Sequence, residues 1–127
     1  MGPVVIGGNV WRVVRVSPGD PFLVDRTGSR RIATADISSK TIRISEDIMP
    51  PLLDKVLLHE VAHAAIDGSP VADILRGLPD NLQSILAEEL LAWFMETHAI
   101  EVIDAASSLL GRKVCVDGLC IGGSEWR

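Results

Sequence analysis

The chain of 127 residues reads as a single α+β domain (residues 1–127): a small N-terminal antiparallel β-sheet packed on two main helices, with a C-terminal β-hairpin. Three observations predict this. Residues 1–45 carry β-branched runs separated by turn residues. From Pro51 onward, apolar residues recur at helical spacing. Near the end, Val114-Cys115-Val116-Asp117-Gly118-Leu119-Cys120-Ile121 sets Asp-Gly between alternating apolar residues, the signal for a two-residue hairpin turn.

The elements follow in order. Val4-Val5-Ile6 is a strand, Gly7-Gly8-Asn9 a turn, and Val10 to Val16 a second strand. Ser17-Pro18-Gly19-Asp20-Pro21 breaks the pattern, and Asp25 to Ser29 reads as a second loop. Arg31 to Asp36 and Thr41 to Ser45 form a further pair joined by Ser38-Ser39-Lys40. In the latter, Ile42 and Ile44 share one face. A helix is predicted from Pro51 to Asp67, opened by Pro50-Pro51 and stopped by Gly68. A short helix over Val71 to Arg76 precedes a long one from Pro79-Asp80 to about Leu110, where Gly111 ends it.

Composition narrows the function. Apolar residues make up 47% of the chain, yet no apolar run is long enough to span a bilayer. The formal net charge of −5 argues against nucleic acid or an anionic membrane as the main partner. Arg12, Arg15, Arg26, Arg30 and Arg31 cluster in the N-terminal third and read as a solvated sheet face. Met1 to Ile6 shows neither a basic start nor a long apolar region, so a cytoplasmic location is expected. In that compartment Cys115 and Cys120 are expected to be reduced. The hairpin register sets them opposite one another, where a disulfide is geometrically conceivable, and a metal role lacks a second Cys or His pair nearby.

The residues that carry chemistry are His59-Glu60-Val61-Ala62-His63, inside the Pro51–Asp67 helix. Positions four apart stack on one helix face, so both imidazoles can reach one metal ion. Glu60 is turned about 100° from His59, which suits it to take a proton from water activated by the metal. This is the HExxH arrangement of zinc-dependent hydrolases. Chance alone yields such a pattern in about one chain in a hundred of this composition, so the helical context carries the weight. A catalytic zinc usually takes three protein ligands, and His59 and His63 supply two. The long helix offers Glu88, Glu89, Glu96 and His98. Glu88 lies in phase with Leu91, Met95, His98 and Val102, and Glu89 with Leu82, Ile85, Leu86, Trp93 and Ile100. Phase alone slightly favours Glu89 and leaves both open. His98 is also a candidate oxyanion donor, with a packed helix histidine as its plainer reading.

An HExxH helix, then a second helix with a glutamate followed by Phe and an apolar residue at +6 and +7, resembles the ImmA/IrrE-type zinc metallopeptidases. The resemblance spans roughly residues 40 to 105 and is nearest the small phage and prophage versions. It implies a zincin-like fold with one Zn2+ per chain. Counting back from Phe94, it implies Glu88 as the third ligand beside His59 and His63. Ala92 departs from the Asn or Asp that many members carry four residues after the zinc glutamate, and so lacks a hydrogen bond that would steady a ligand. The resemblance further implies that the Thr41–Ser45 strand lines the cleft as an edge that pairs with extended peptide. The substrate it implies is an intracellular protein, such as a regulator, in the host cytoplasm if the chain is phage-encoded. The expected activity is therefore peptide hydrolysis with Glu60 as the catalytic base. The alternative is a non-catalytic, zinc-containing protein-binding module, which Ala92 and the small size favour and an intact Glu60 opposes. A hydrolase acting on something other than a peptide has no second polar cluster behind it.

Overall fold

The computed structural model of the chain describes residues 1–24, 28–70, 73–74, 77, 94 and 98–122. Gly7 and Gly8 take φ of 58° and 77°, the left-handed pair that a tight hairpin between right-twisted strands demands. Across that turn β1 (Pro3–Ile6) lies antiparallel to β2 (Asn9–Val16), with Ile6 opposite Asn9. A short 3-10 helix, Pro21–Leu23, follows, capped by the Asp20 carboxylate, which accepts from the Phe22 N–H at 2.8 Å. The sequence pattern does not announce it. Then β3 (Ala33–Asp36) turns into β4 (Thr41–Ser45), again antiparallel. Asp36 holds that turn by accepting from the Ser38 hydroxyl at 2.7 Å and from the Ser38 and Ser39 N–H groups. Those bonds, the Ser38 hydroxyl foremost, draw its carboxyl down to about 2.

The sheet corrects one expectation. Its order is β1-β2-β4-β3, and β4 runs parallel to β2, with Arg12 opposite Thr41 and Val16 opposite Ser45. The sheet is mixed, not antiparallel. The connection from β2 to β4, which includes β3, is long enough to bring β4 back in the same direction as β2. The strand with two isoleucines takes the central place, where Thr41, Ile42, Ile44 and Ser45 are all buried. The Ala-Thr-Ala-Asp strand, with little apolar surface to hide, is left at the edge.

Alternation along the strands puts Ile6, Trp11, Val13, Ile42 and Ile44 on one face, and all five are almost fully buried. The helix α1 (Leu52–Asp67) covers that face with Leu53, Leu57, Val61, Ala64 and Ala65, its i, i+4, i+8 stripe. Residues 98–110 are helical too (α2) and send Val102, Ala105 and Ala106 into the same core, together with Phe94. The N–H of Gly111 (φ +71°) donates to the carbonyl of Ser107 at 2.9 Å, which is where α2 stops. The α+β class, the two helices and the terminal hairpin therefore stand as expected. The predicted Val71–Arg76 helix and the stretch of the long helix before residue 98 lie largely outside the described residues. No helix among the described residues is long and apolar enough to cross a membrane.

β5 (Val114–Val116) and β6 (Leu119–Ile121) pair around Asp117 (φ 50°) and Gly118 (φ 84°), the register read from the sequence. Cys115 stands opposite Cys120 and the two are joined as a disulfide, not reduced as expected. The expectation rested on compartment, whereas the hairpin brings both side chains to one face in direct apposition. The hairpin is tied to α1 through Asp54, which is 1% exposed. Its two oxygens accept from Arg112 at 2.6 and 2.7 Å, and one also accepts the Cys115 N–H at 2.8 Å. A buried carboxylate is thereby satisfied by a bidentate guanidinium and a main-chain donor.

At the other end of α1, Gly68 packs on the β1–β2 turn. A Cβ there would stand 2.8 Å from the Gly7 oxygen and 3.0 Å from the Gly7 Cα, both backbone atoms that cannot swing aside. Gly68 has φ of −79°, so the obstacle is steric and not conformational. Gly68→Ala is expected to cost about 1–3 kcal/mol through forced separation of α1 from the hairpin. Urea denaturation checks it, and an unchanged midpoint would show that the contact is not tight.

Candidate metal centre and cleft

At about 100° per residue, the buried stripe of α1 centres on Leu57 and Val61, with Glu60 on its flank and His63 and His59 further round. Accordingly Glu60 is 8% exposed while both histidines reach the surface. The helical spacing brings the two rings together edge to face, with centroids 4.7 Å apart and Nε2 to Nε2 at 3.1 Å. Two ring lone pairs cannot face each other at that distance. Either a shared proton or a cation must lie between them. Two imidazole ligands each about 2.0–2.1 Å from one tetrahedral zinc stand about 3.3 Å apart, close to the separation of this pair. Burial, and then the proximity of His59, lowers the pKa of His63. That favours the neutral imidazole, the form that ligates. Burial also pushes the Glu60 carboxyl up, opposed by the charges of His59 and Arg31.

These side chains open onto a cleft of about 990 Å³. α1 contributes His59, Glu60 and His63; β3 contributes Ala33 to Asp36; the 3-10 segment contributes Pro21 and Phe22. Arg43 lays its guanidinium 4.1 Å from the centre of the Phe22 ring. A smaller cavity of about 310 Å³, lined by Ile32, Lys55 and Val56, shares Arg31, Ala33, His59 and Glu60 with that cleft.

The strand beside the site is not the expected one. Thr41–Ser45 is paired on both sides, by β2 and by β3, so it presents no edge. β3 is the edge strand and lines the cleft. The Ser45 N–H donates to the Ile32 carbonyl, which makes 32/45, 34/43 and 36/41 the hydrogen-bonded pairs of this antiparallel ladder. The N–H and C=O groups of Ala33 and Ala35 therefore point away from β4. Just before them, the Arg31 N–H, on the same outward side, donates to the Leu23 carbonyl at 2.7 Å.

The structure thus brings together three of the residues singled out in the sequence: His59, Glu60 and His63. Glu88, the expected third ligand, lies outside the described residues, as do Glu89 and Glu96. Among the described residues no group of three His, Cys, Asp or Glu side chains gathers around one point. His98 is packed elsewhere. Its Nδ1 is 3.2 Å from Glu101, its ring stacks on Phe94 at 5.1 Å, and the other Glu101 oxygen accepts the Gly7 N–H. It is not among the residues that line the cleft. Cys115 and Cys120 are bonded to each other. Sequence reasoning misses Arg31 and the outward edge of β3. By composition Arg31 reads as part of a solvated sheet face, and only a signal of strand order would place it beside Glu60. Comparison with family models, with curated proteins and with solved structures yields no match.

Proposed function

We propose that this chain is a zinc-dependent metallopeptidase that hydrolyses peptide bonds of an extended polypeptide laid along β3. The observation that carries the reading is the convergence of the His59 and His63 Nε2 atoms to 3.1 Å beside a buried glutamate, at a cleft bordered by a strand edge. His59 and His63 would hold the ion, with Glu88 the proposed third ligand because of its place six residues before Phe94. When bound, zinc supplies Lewis-acid polarisation of a carbonyl and lowers the pKa of water. The remaining work falls to the chain itself. Glu60 takes the proton of the attacking water at its carboxylate and returns it to the departing amine. The Ala33 and Ala35 main-chain groups offer a peptide the hydrogen bonds of an added strand, which give affinity with little demand on side chains. Phe22 and the apolar wall around it exclude water from one side of that peptide.

Zinc stoichiometry tests the reading directly. Elemental analysis of the purified chain is expected to find one zinc per molecule. His59→Ala and His63→Ala should each weaken zinc affinity by several orders of magnitude in a competition titration with a chromophoric chelator. Glu88→Ala should weaken it far more than Glu89→Ala. No metal after reconstitution removes the hydrolytic reading, and equal affinities for the two glutamate variants refute the third-ligand assignment.

A further inference from the structure

We infer that Phe22 sets the specificity of the cleft, selecting polypeptides with a large apolar side chain at the position that pairs with Thr34. This rests on reading the cleft as a peptide site. Ala33 is buried and Ala35 partly buried against the core on the α1 side of the sheet. Strand alternation therefore turns the Thr34 and Asp36 side chains to the opposite face. Phe22 lies on that face. The Thr34 hydroxyl donates to the Phe22 carbonyl at 3.1 Å, and the Phe22 N–H donates to Asp20 at 2.8 Å. Both main-chain groups of Phe22 are thus held, yet the residue is 57% exposed. Arg43 lies on its ring and stands 3.7 Å from Asp36, so the charged groups beside the ring answer each other. Val24 and Ile37 are exposed as well and line the same cleft. An apolar patch presented in this way favours an apolar guest. The strand edge next to it makes that guest a polypeptide, because Ala33 and Ala35 turn their N–H and C=O groups outward. A chain paired there, in either direction, alternates its side chains as β3 does. Its residues opposite Ala33 and Ala35 face α1 and the histidines. The residue between them faces Phe22, where a leucine or phenylalanine takes apolar surface on both partners out of water.

The test separates this selectivity from the hydrolytic reading. Zinc-loaded Glu60→Gln protein is titrated, by fluorescence anisotropy, with labelled Ala/Ser peptides whose central residue is Leu, Ala or Asp. The Leu peptide is expected to bind about tenfold tighter than the Ala peptide. Adding Phe22→Ala should bring the two within about twofold, whereas Phe22→Leu should keep most of the difference. Zinc affinity and the urea midpoint of both Phe22 variants should match the parent, since the ring is exposed and the main-chain bonds remain. In parallel the wild-type protein digests a mixed peptide library, with cut sites read by mass spectrometry. Large apolar residues enriched at one fixed position from the cut, lost in Phe22→Ala and kept in Phe22→Leu, support the inference. Cleavage without such enrichment, enrichment that survives Phe22→Ala, or binding that is equal or absent for all three peptides overturns it. Leu-dependent binding that needs Phe22, with no cleavage by wild type, would sink the hydrolytic reading while leaving the selectivity standing.

Discussion

Glu60→Gln is expected to keep zinc and lose turnover by about 10²–10⁴-fold. Glutamine is isosteric, so the side chain still fits its place on the flank of the α1 stripe, where only 8% of the residue is exposed. It is neutral and cannot accept the proton of an attacking water. Glu60 is assigned no place among the metal ligands, so zinc affinity should change little while catalysis fails. Stability gives an independent readout. Burying a carboxylate is costly and burying an amide in the same space is less so, hence the metal-free variant should be at least as stable as wild type. Turnover is measured on an unfolded protein substrate, zinc by chelator competition and stability by urea denaturation. Unimpaired turnover would remove Glu60 from the chemistry. An activity in the cell that survives the substitution would instead favour the non-catalytic binding module.

Asp54→Asn is expected to be the most damaging single change to the fold, at about 3 kcal/mol. The carboxylate is buried and anchors both Arg112 and the Cys115 main chain. An amide keeps one acceptor and turns an N–H group toward a guanidinium donor, so a buried charge loses its partner and a donor is left unpaired. The pH dependence has a definite sign. The Arg112 hydrogen bonds come first among the causes that hold the Asp54 carboxyl below its ordinary value, with the Cys115 N–H adding to them against burial. A depressed carboxyl stabilises the folded state fully above its unfolded pKa of about 3.9, and the contribution fades as pH falls through the folded value. The stability gap between wild type and variant should therefore be widest near neutrality and close on acidification. Urea midpoints at neutral and acid pH measure this. A gap that is absent, or equal at both pH values, would show that the ion pair is not what ties the hairpin to α1.

Much of the candidate site is legible in the sequence because it is local. His59, Glu60 and His63 share one turn of one helix, and an α-helix has the same pitch whatever packs around it. The Asp117-Gly118 register is legible for the same reason, since a two-residue turn dictates which residues face each other. The third ligand is not. Glu88 and Glu89 fall in a segment whose sequence reads as a helix apolar nearly all round, so helical phase offers two answers, and both residues lie outside the described ones.

The linear order of residues by itself determined the α+β class, the four N-terminal strands, the helix that carries His59, Glu60 and His63, and the terminal hairpin, since each follows from periodicity within a short window. Tertiary structure alone decided that β4 lies inside the sheet and β3 at its edge, that Arg31 stands beside Glu60, that Asp54 meets Arg112 across the molecule, and that Cys115 bonds to Cys120. The physical reason differs only for the disulfide, where the geometry was readable and the redox outcome was not. Strand order and long-range ion pairs depend on how whole elements share out the burial of their apolar faces. Alternation in β3 and in β4 is compatible with either strand at the edge, and the choice falls to the larger apolar surface of Ile42 and Ile44.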